Sequence, residues 1–232
     1  MDFNSVSIKH GTDKGSESPS GAHHYSAFYD KWFSPIREKV ENICEIGVWN
    51  GCSLRAFEEY FPNTNIVGLD LDDKSYLDTP RTKTFILDQG KEEHLDAFVK
   101  LCNNPNLQFD FIIDDGSHNI FHQQLTFGKL FSLIKPGGFY IIEDLGSSYF
   151  NLGQNLYGYL TTQEEINNNT IKFLNTRPFS SPWINKTDTE YLNQNIDYVV
   201  VFDKSNNLPY SNIFQCKNNF PIRSITSIIQ KK

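Results

Sequence analysis

Short apolar runs recur along the middle of the chain, each closed by a polar, glycine- or proline-bearing connection. Runs such as Ile43 to Ile46, Ile66 to Asp70 and Phe109 to Ile113 are too short for helices, and their residues are apolar without a helical period, so they predict buried strands. Strands are predicted at 43–47, 66–70, 83–87, 110–114, 138–142 and 197–203. Between them, 53–60, 91–101 and 119–133 space their apolar residues as crossover helices do, with Pro62, Pro105 and Pro136-Gly137-Gly138 punctuating the connections. Strands alternating with helices build a mostly parallel, doubly wound α/β sheet with helices on both faces. Beyond Asp203, the turn Ser205 to Pro209 leads into Asn212-Ile213-Phe214-Gln215-Cys216, predicted to return as an antiparallel edge strand and bring the sheet to about seven strands. From Leu156 to Leu174 the apolar residues suggest a helical stripe used for packing or a subunit contact.

The first predicted strand runs into Glu45-Ile46-Gly47-Val48-Trp49-Asn50-Gly51, and a helical pattern starts at Ser53. Glycines at a strand-to-helix turn let a ligand approach backbone N–H groups at the positive end of a helix. The second strand ends in Asp70, about 20 positions on, where a carboxylate can accept hydrogen bonds from a ribose diol. A dinucleotide turn has the form G-x-G-x-x-G; this one is E-x-G-x-x-x-G, and its acid would repel a pyrophosphate. A ribose-bearing ligand with a cationic or zwitterionic end is expected, with Glu45, Gly47, Gly51, Ser53, Asp70 and Leu71 around it. Asp88-Gln89, closing the third strand, and Asp114, closing the fourth, are further candidates at the same rim, because ligands of open α/β sheets bind beyond the carboxyl ends of the strands.

Composition narrows the classes. With 232 residues the chain can bury one sizeable core, and its net charge of −7 without a long basic run argues against a general nucleic-acid surface. No apolar run reaches the roughly 18 residues of a membrane span and the N-terminus is polar, so a soluble, cytoplasmic protein without signal peptide or anchor is expected. Cys44, Cys52, Cys102 and Cys216 show no C-x-x-C pairing and predict reduced, packed thiols.

Two strand ends gather acids: Asp114-Asp115-Gly116-Ser117-His118 and Glu143-Asp144. Converging carboxylates repel unless protonated or bridged, and oxygen donors suit a hard divalent ion such as magnesium. Asp115, Glu143 and Asp144 are the preferred ligands. Neighbours in a strand point to opposite faces, so Glu143 and Asp144 share an ion only if the chain leaves strand geometry there. His118 is placed to take a proton from a substrate hydroxyl, with a helix-capping role as the alternative. His122 shares i, i+4 spacing with His118 but lacks the glutamate of H-E-x-x-H, so zinc protease chemistry is excluded.

These motifs, together with Gly11-Thr12-Asp13-Lys14 and His23-His24-Tyr25, resemble the class I S-adenosylmethionine-dependent methyltransferases, and within them the metal-dependent sugar O-methyltransferases of macrolide tailoring, the macrocin and mycinamicin type. The likeness runs from about His10 to Asp144. It implies a Rossmann-like sheet, S-adenosyl-L-methionine held by the E-x-G-x-x-x-G turn and Asp70, magnesium or another divalent cation on Asp115, Glu143 and Asp144, and His118 as base. It also implies a sugar hydroxyl acceptor on a glycoside, nucleotide-sugar or surface polysaccharide precursor. The chain is expected to differ from some antibiotic enzymes of this kind in having no large auxiliary region ahead of this domain. Residues 1–40 are read as an arm over the site, with Lys14, His24 and Tyr25 facing cofactor or acceptor. Residues 41–232 are read as the methyltransferase domain, with a lid or acceptor insert at about 146–195. In that insert Tyr149 and Trp183 offer faces to a sugar ring and Arg177 a cation to a phosphate. Open alternatives are an amine or phosphoramidate-type acceptor, an iron-dependent hydroxylase and a non-catalytic cofactor-binding protein; self-association is also left open.

Overall fold

The computed structural model describes residues 1–102, 107–144, 165–167, 170–174, 181–203 and 225–232. Its strands are β1 (Asn42–Ile46), β2 (Asn65–Asp70), β3 (Thr82–Ile86), β4 (Phe109–Asp114), β5 (Ile134–Ile142), β6 (Glu165–Asn167), β7 (Thr170–Leu174), β8 (Ile196–Asp203) and β9 (Ile225–Lys231). The helices are α1 (Phe3–His10), α2 (Ser26–Phe33), α3 (Cys52–Tyr60), α4 (Glu92–Leu101), α5 (Ile120–Leu130) and α6 (Lys186–Asn195). One sheet of order β3-β2-β1-β4-β5-β9-β8-β7-β6 joins all the described strands. β1 to β5 are parallel, with Ile43 opposite Ile66 on one side and Phe111 on the other. The order reverses at β1 and β4, and that switch point opens a crevice at the carboxyl ends of the strands.

Alternation along the strands splits the core in two. Ile43, Phe111, Ile113, Phe139 and Ile141 face α1, α2 and α3, whereas Cys44, Ile46, Ile112, Tyr140 and Ile142 face α4, α5 and α6. Both faces are covered, which explains why these strands read as continuous apolar runs. The first face is largely aromatic: Phe33 stacks with Tyr29 and meets Phe61 and Phe111 with ring centroids 5.4 and 4.8 Å away.

Residues 1–40 are built into this face. Asp2 caps α1, Gly11 ends it in the left-handed region at φ 75°, and Phe3, Tyr25, Tyr29 and Phe33 are fully buried. Asp30 of α2 accepts from the Phe3 N–H and the Tyr60 hydroxyl, tying α1, α2 and α3 together.

The far half of the sheet departs from expectation in two places. The antiparallel partner of β5 is β9, whose buried Thr226 and Ser227 interrupt the apolar run and whose Thr226 hydroxyl donates to the Ile142 carbonyl. Asn212 to Cys216 lies outside the described residues. Residues 165–167 and 170–174 pair as antiparallel strands added to β8, not as the end of a helix; β-branched Ile166, Thr170 and Ile171 favour strand pairing. α6 lies against α5, with Ile184 and Leu192 in the core.

Candidate active site

The crevice holds a cavity of about 460 Å³ whose walls come from the ends of β1, β2, β3, β4 and β5. At β1 the chain turns at Gly47, where φ is 87° and an added Cβ would collide with the Asp115 carbonyl. The Gly47 N–H donates to Leu69 and the Asp115 N–H to Ile46, so the turn, β2 and the acidic loop are locked together. Asp70 fixes the rest of the turn: its Oδ2 accepts from the Val48 and Trp49 N–H groups at 2.9 Å each, and its Oδ1 accepts from Asp72 N–H at 3.0 Å. Trp49 takes φ 47° and stays 62% exposed at the mouth. A bulky residue in the left-handed region costs on the order of 1–2 kcal/mol, and such strain gathers at functional sites. His118 and Asp144, at φ 54° and 51°, share the conformation and also line the cavity.

Of the proposed cofactor residues, Gly47, Asp70, Leu71, Asp88 and Gln89 line the cavity. Glu45, Gly51, Ser53, Asp114 and Tyr25 do not; they lie behind its wall. Glu45 is fully buried and accepts from the Ser53 hydroxyl at 2.6 Å, and burial raises its pKa to about 7. Asp114, also buried, accepts from the Gln89 amide at 3.1 Å, and burial lifts it to about 6. Gln89 in turn accepts from the Ser117 N–H at 2.6 Å, so β3 and the β4 loop form one polar wall. His122 belongs to that wall, its Nδ1 sharing a proton with the Ser117 hydroxyl across 2.8 Å.

At the other end Asp115, His118 and Asp144 each bring a ligand atom within 4.8 Å of the others. His118 Nε2 is 3.7 Å from Asp144 Oδ2. The left-handed turn at Asp144 takes the chain out of strand geometry after β5; Asp144 joins Asp115 and His118, whereas Glu143 is not among the residues that bring ligand atoms within 4.8 Å of one another. The Tyr25 hydroxyl donates to Asp144 Oδ1 at 2.7 Å, and His23 Nδ1 lies 3.3 Å from the same oxygen. His23, rather than the singled-out His24, therefore stands beside the cluster. Glu143 is buried behind it, accepting from the Tyr29 hydroxyl at 2.5 Å.

Lys14, expected to face cofactor or acceptor, is instead buried among the acids. It follows α1 in a polar loop and is 1% exposed, with Nζ 2.5 Å from Asp115 Oδ2, 3.0 Å from Glu143 Oε2 and 3.5 Å from Glu45 Oε1. Burial opposes its charge, but the carboxylates of Asp115, Glu143 and Glu45 outweigh that and hold its pKa well above the ordinary lysine value. One ammonium cannot balance three acids, and burial pushes Asp115 and Glu143 upward as well. The surplus of negative charge and the oxygen-rich donor set fit a hard divalent cation. They fit poorly the two histidines and one carboxylate of an iron oxygenase.

In the insert, Trp183 packs edge-on against Phe121, 6.2 Å between centroids, and does not line the cavity; Tyr149 and Arg177 lie outside the described residues. Among the described residues no helix is long and apolar enough to cross a membrane.

No family model matches the chain. It is 38% identical over 135 residues to the mycinamicin VI 2''-O-methyltransferase of Micromonospora griseorubida, covering 55% of this chain and 33% of the relative. It is 35% identical over 159 residues to the 8-demethyl-8-alpha-L-rhamnosyl tetracenomycin-C 2'-O-methyltransferase of Streptomyces olivaceus, covering 66% and 40%. Among solved structures, the MycE methyltransferase of the mycinamycin biosynthetic pathway, in complex with Mg and SAH, superposes with a TM-score of 0.67 at 25% identity, covering all of this chain and 55% of that one. The chain thus spans well under half the length of these two curated relatives. By fold, by the order of its motifs and by these likenesses, the chain has the class I S-adenosylmethionine-dependent methyltransferase fold and is similar to the mycinamicin and macrocin O-methyltransferases.

Proposed function

We propose that the chain transfers the methyl group of S-adenosylmethionine to a hydroxyl of a sugar, with a divalent cation, magnesium first among them, held at the acidic cluster. The observation that carries this reading is the continuity of one cavity from Asp70 and Gln89 to Asp115, His118 and Asp144. Its volume of about 460 Å³ suits a nucleoside cofactor whose reactive end reaches the acidic cluster. A solved relative in complex with Mg, SAH and mycinamycin VI supports the same combination of ligands.

In this reading Asp70, which already orders the glycine turn, receives the ribose hydroxyls, and Asp88 and Gln89 face the base. Asp115 and Asp144, with Glu143 completing the set, would hold the cation, which when bound makes a nearby acceptor hydroxyl more acidic. His118 takes the hydroxyl proton as the oxygen attacks the methyl carbon; the carbon–sulfur bond breaks and the sulfonium leaves as a neutral thioether. Asp144, 3.7 Å from the imidazole, stabilises the proton there. Positioning of the two reactants supplies much of the acceleration. Residues 146–195 are assigned to the acceptor side and residues 1–40 to the floor beneath the cluster. The partner is a small glycoside or a glycan precursor.

The test is transfer of labelled methyl from S-adenosylmethionine to a panel of glycosides, with magnesium and with a chelator. Cation-dependent label on a sugar oxygen is expected. Chelator-insensitive transfer to an amine would move the assignment to N-methylation, and no transfer from a folded protein that binds the cofactor would reject catalysis on this class.

A further inference from the structure

Lys14 is a lysine with 1% exposure in a protein whose other charged side chains mostly reach water. Its ammonium meets one carboxylate from each of three strand ends: Glu45 in the last pleat of β1, Asp115 just after β4 and Glu143 just after β5. Asp115 is shared, one oxygen 2.5 Å from Lys14 while the residue also lies within the Asp115, His118 and Asp144 cluster. Behind the cluster, Lys14 thus occupies the place where a second cation would otherwise satisfy Glu45 together with Asp115 Oδ2 and Glu143 Oε2, two carboxylates that also border the outer site.

Resting on the proposed function, we propose that Lys14 is the positioning residue of the cation site: a built-in monovalent charge that fills the inner half of the acidic cluster and confines the divalent cation to the outer half, facing the cavity. Four carboxylates carry a formal charge of −4, and Lys14 reduces it to −3, enough to attract one divalent ion. Without the ammonium, the inner carboxylates become a competing oxygen-rich site. Lys14 also repels a divalent ion that approaches it, since like charges in a partly buried site are weakly screened. Its removal therefore tightens cation binding while moving the ion inward, away from His118 and the acceptor. A residue with only a structural role would, when lost, weaken cation binding along with everything else.

The experiment is calorimetric titration of Mn²⁺ into the full chain, wild type, Lys14→Met and Lys14→Arg, with S-adenosylhomocysteine titrated separately and methyl transfer measured alongside. Wild type binds Mn²⁺; Lys14→Met binds it at least about tenfold tighter, with turnover reduced and S-adenosylhomocysteine affinity within about threefold, while Lys14→Arg stays near wild type in cation affinity. If Lys14→Met is poorly folded alone, Mn²⁺ raises its melting temperature by more than it raises that of wild type, because tighter binding to the folded state stabilises it more. Unchanged or weaker Mn²⁺ binding in Lys14→Met, or a variant that Mn²⁺ does not rescue, overturns the role of Lys14. Wild type that binds S-adenosylhomocysteine but no Mn²⁺ overturns the cation reading itself, and this inference with it.

Discussion

Gly47 tolerates no side chain, since φ 87° and the Asp115 carbonyl close the space where a Cβ would go. Gly47→Ala is expected to destabilise the chain by at least about 2 kcal/mol and to weaken S-adenosylhomocysteine binding, read by thermal unfolding and calorimetry. His118 has a different profile. It stands on the cavity wall without holding the turn, so His118→Ala should lower kcat by about 10²–10⁴ while cofactor affinity stays within about threefold; equal losses in both would remove it from the base role. Asp114 gives a pH signature. Its folded pKa of about 6 lies above the model-peptide value of 3.8, so the native state keeps this proton longer than the unfolded chain. Its contribution to stability is greatest at low pH and is lost as pH rises from about 4 to about 6, by at most about 3 kcal/mol. Stability of wild type should fall relative to Asp114→Asn over that window; parallel curves would contradict the assignment. At this scale the sequence revealed residues that sit in patterns, such as Asp70 at a strand end and His118 after a double aspartate. It marked Lys14 as a residue near the site but not its burial among three carboxylates, because a polar loop carries no mark of the burial that only the docking of α1 and α2 creates.

Among the elements, α1 and α2 do more than cover the sheet. Tyr25 and Tyr29 donate to Asp144 and Glu143, and Lys14 comes from the loop between the two helices, so the aromatic face they share with α3 and β4 sets where the acidic cluster sits. Phe33→Ala, which empties the space between Phe61 and Phe111, is expected to cost about 3–5 kcal/mol by chemical denaturation. The inner strands were legible because burial on both faces leaves uninterrupted apolar runs. β9 was not, because its polar Thr226 and Ser227, which polarity alone reads as a tail, are buried where the strand pairs with β5 and β8. The β6–β7 pair was read as helix because its apolar residues follow a sequence spacing that either element accepts, and pairing with β8 decided it.

The molecule as a whole carries a formal charge of −7, part of it crowded into one buried cluster. Binding a divalent ion there relieves repulsion in the folded state alone. Magnesium at about a hundredfold excess over its dissociation constant should raise the melting temperature by about 5 °C, and a chelator should reverse it; a melting curve indifferent to both would argue against a cation at Asp115, Glu143 and Asp144. The doubly wound sheet followed from the alternation of strands and helices, whereas the position of its switch point comes from the strand order. The acceptor did not, because residues that recognise a sugar come from long connections whose side chains follow no period.

The central claim is that the cavity beyond β1 and β2 is a nucleoside site of the S-adenosylmethionine kind. Calorimetric titration of S-adenosylhomocysteine into the wild-type chain and Asp70→Ala tests it most directly. One equivalent bound by wild type, with affinity reduced at least about tenfold in Asp70→Ala, is the predicted result. No binding by a folded wild-type sample, or equal affinity in the two proteins, would contradict it.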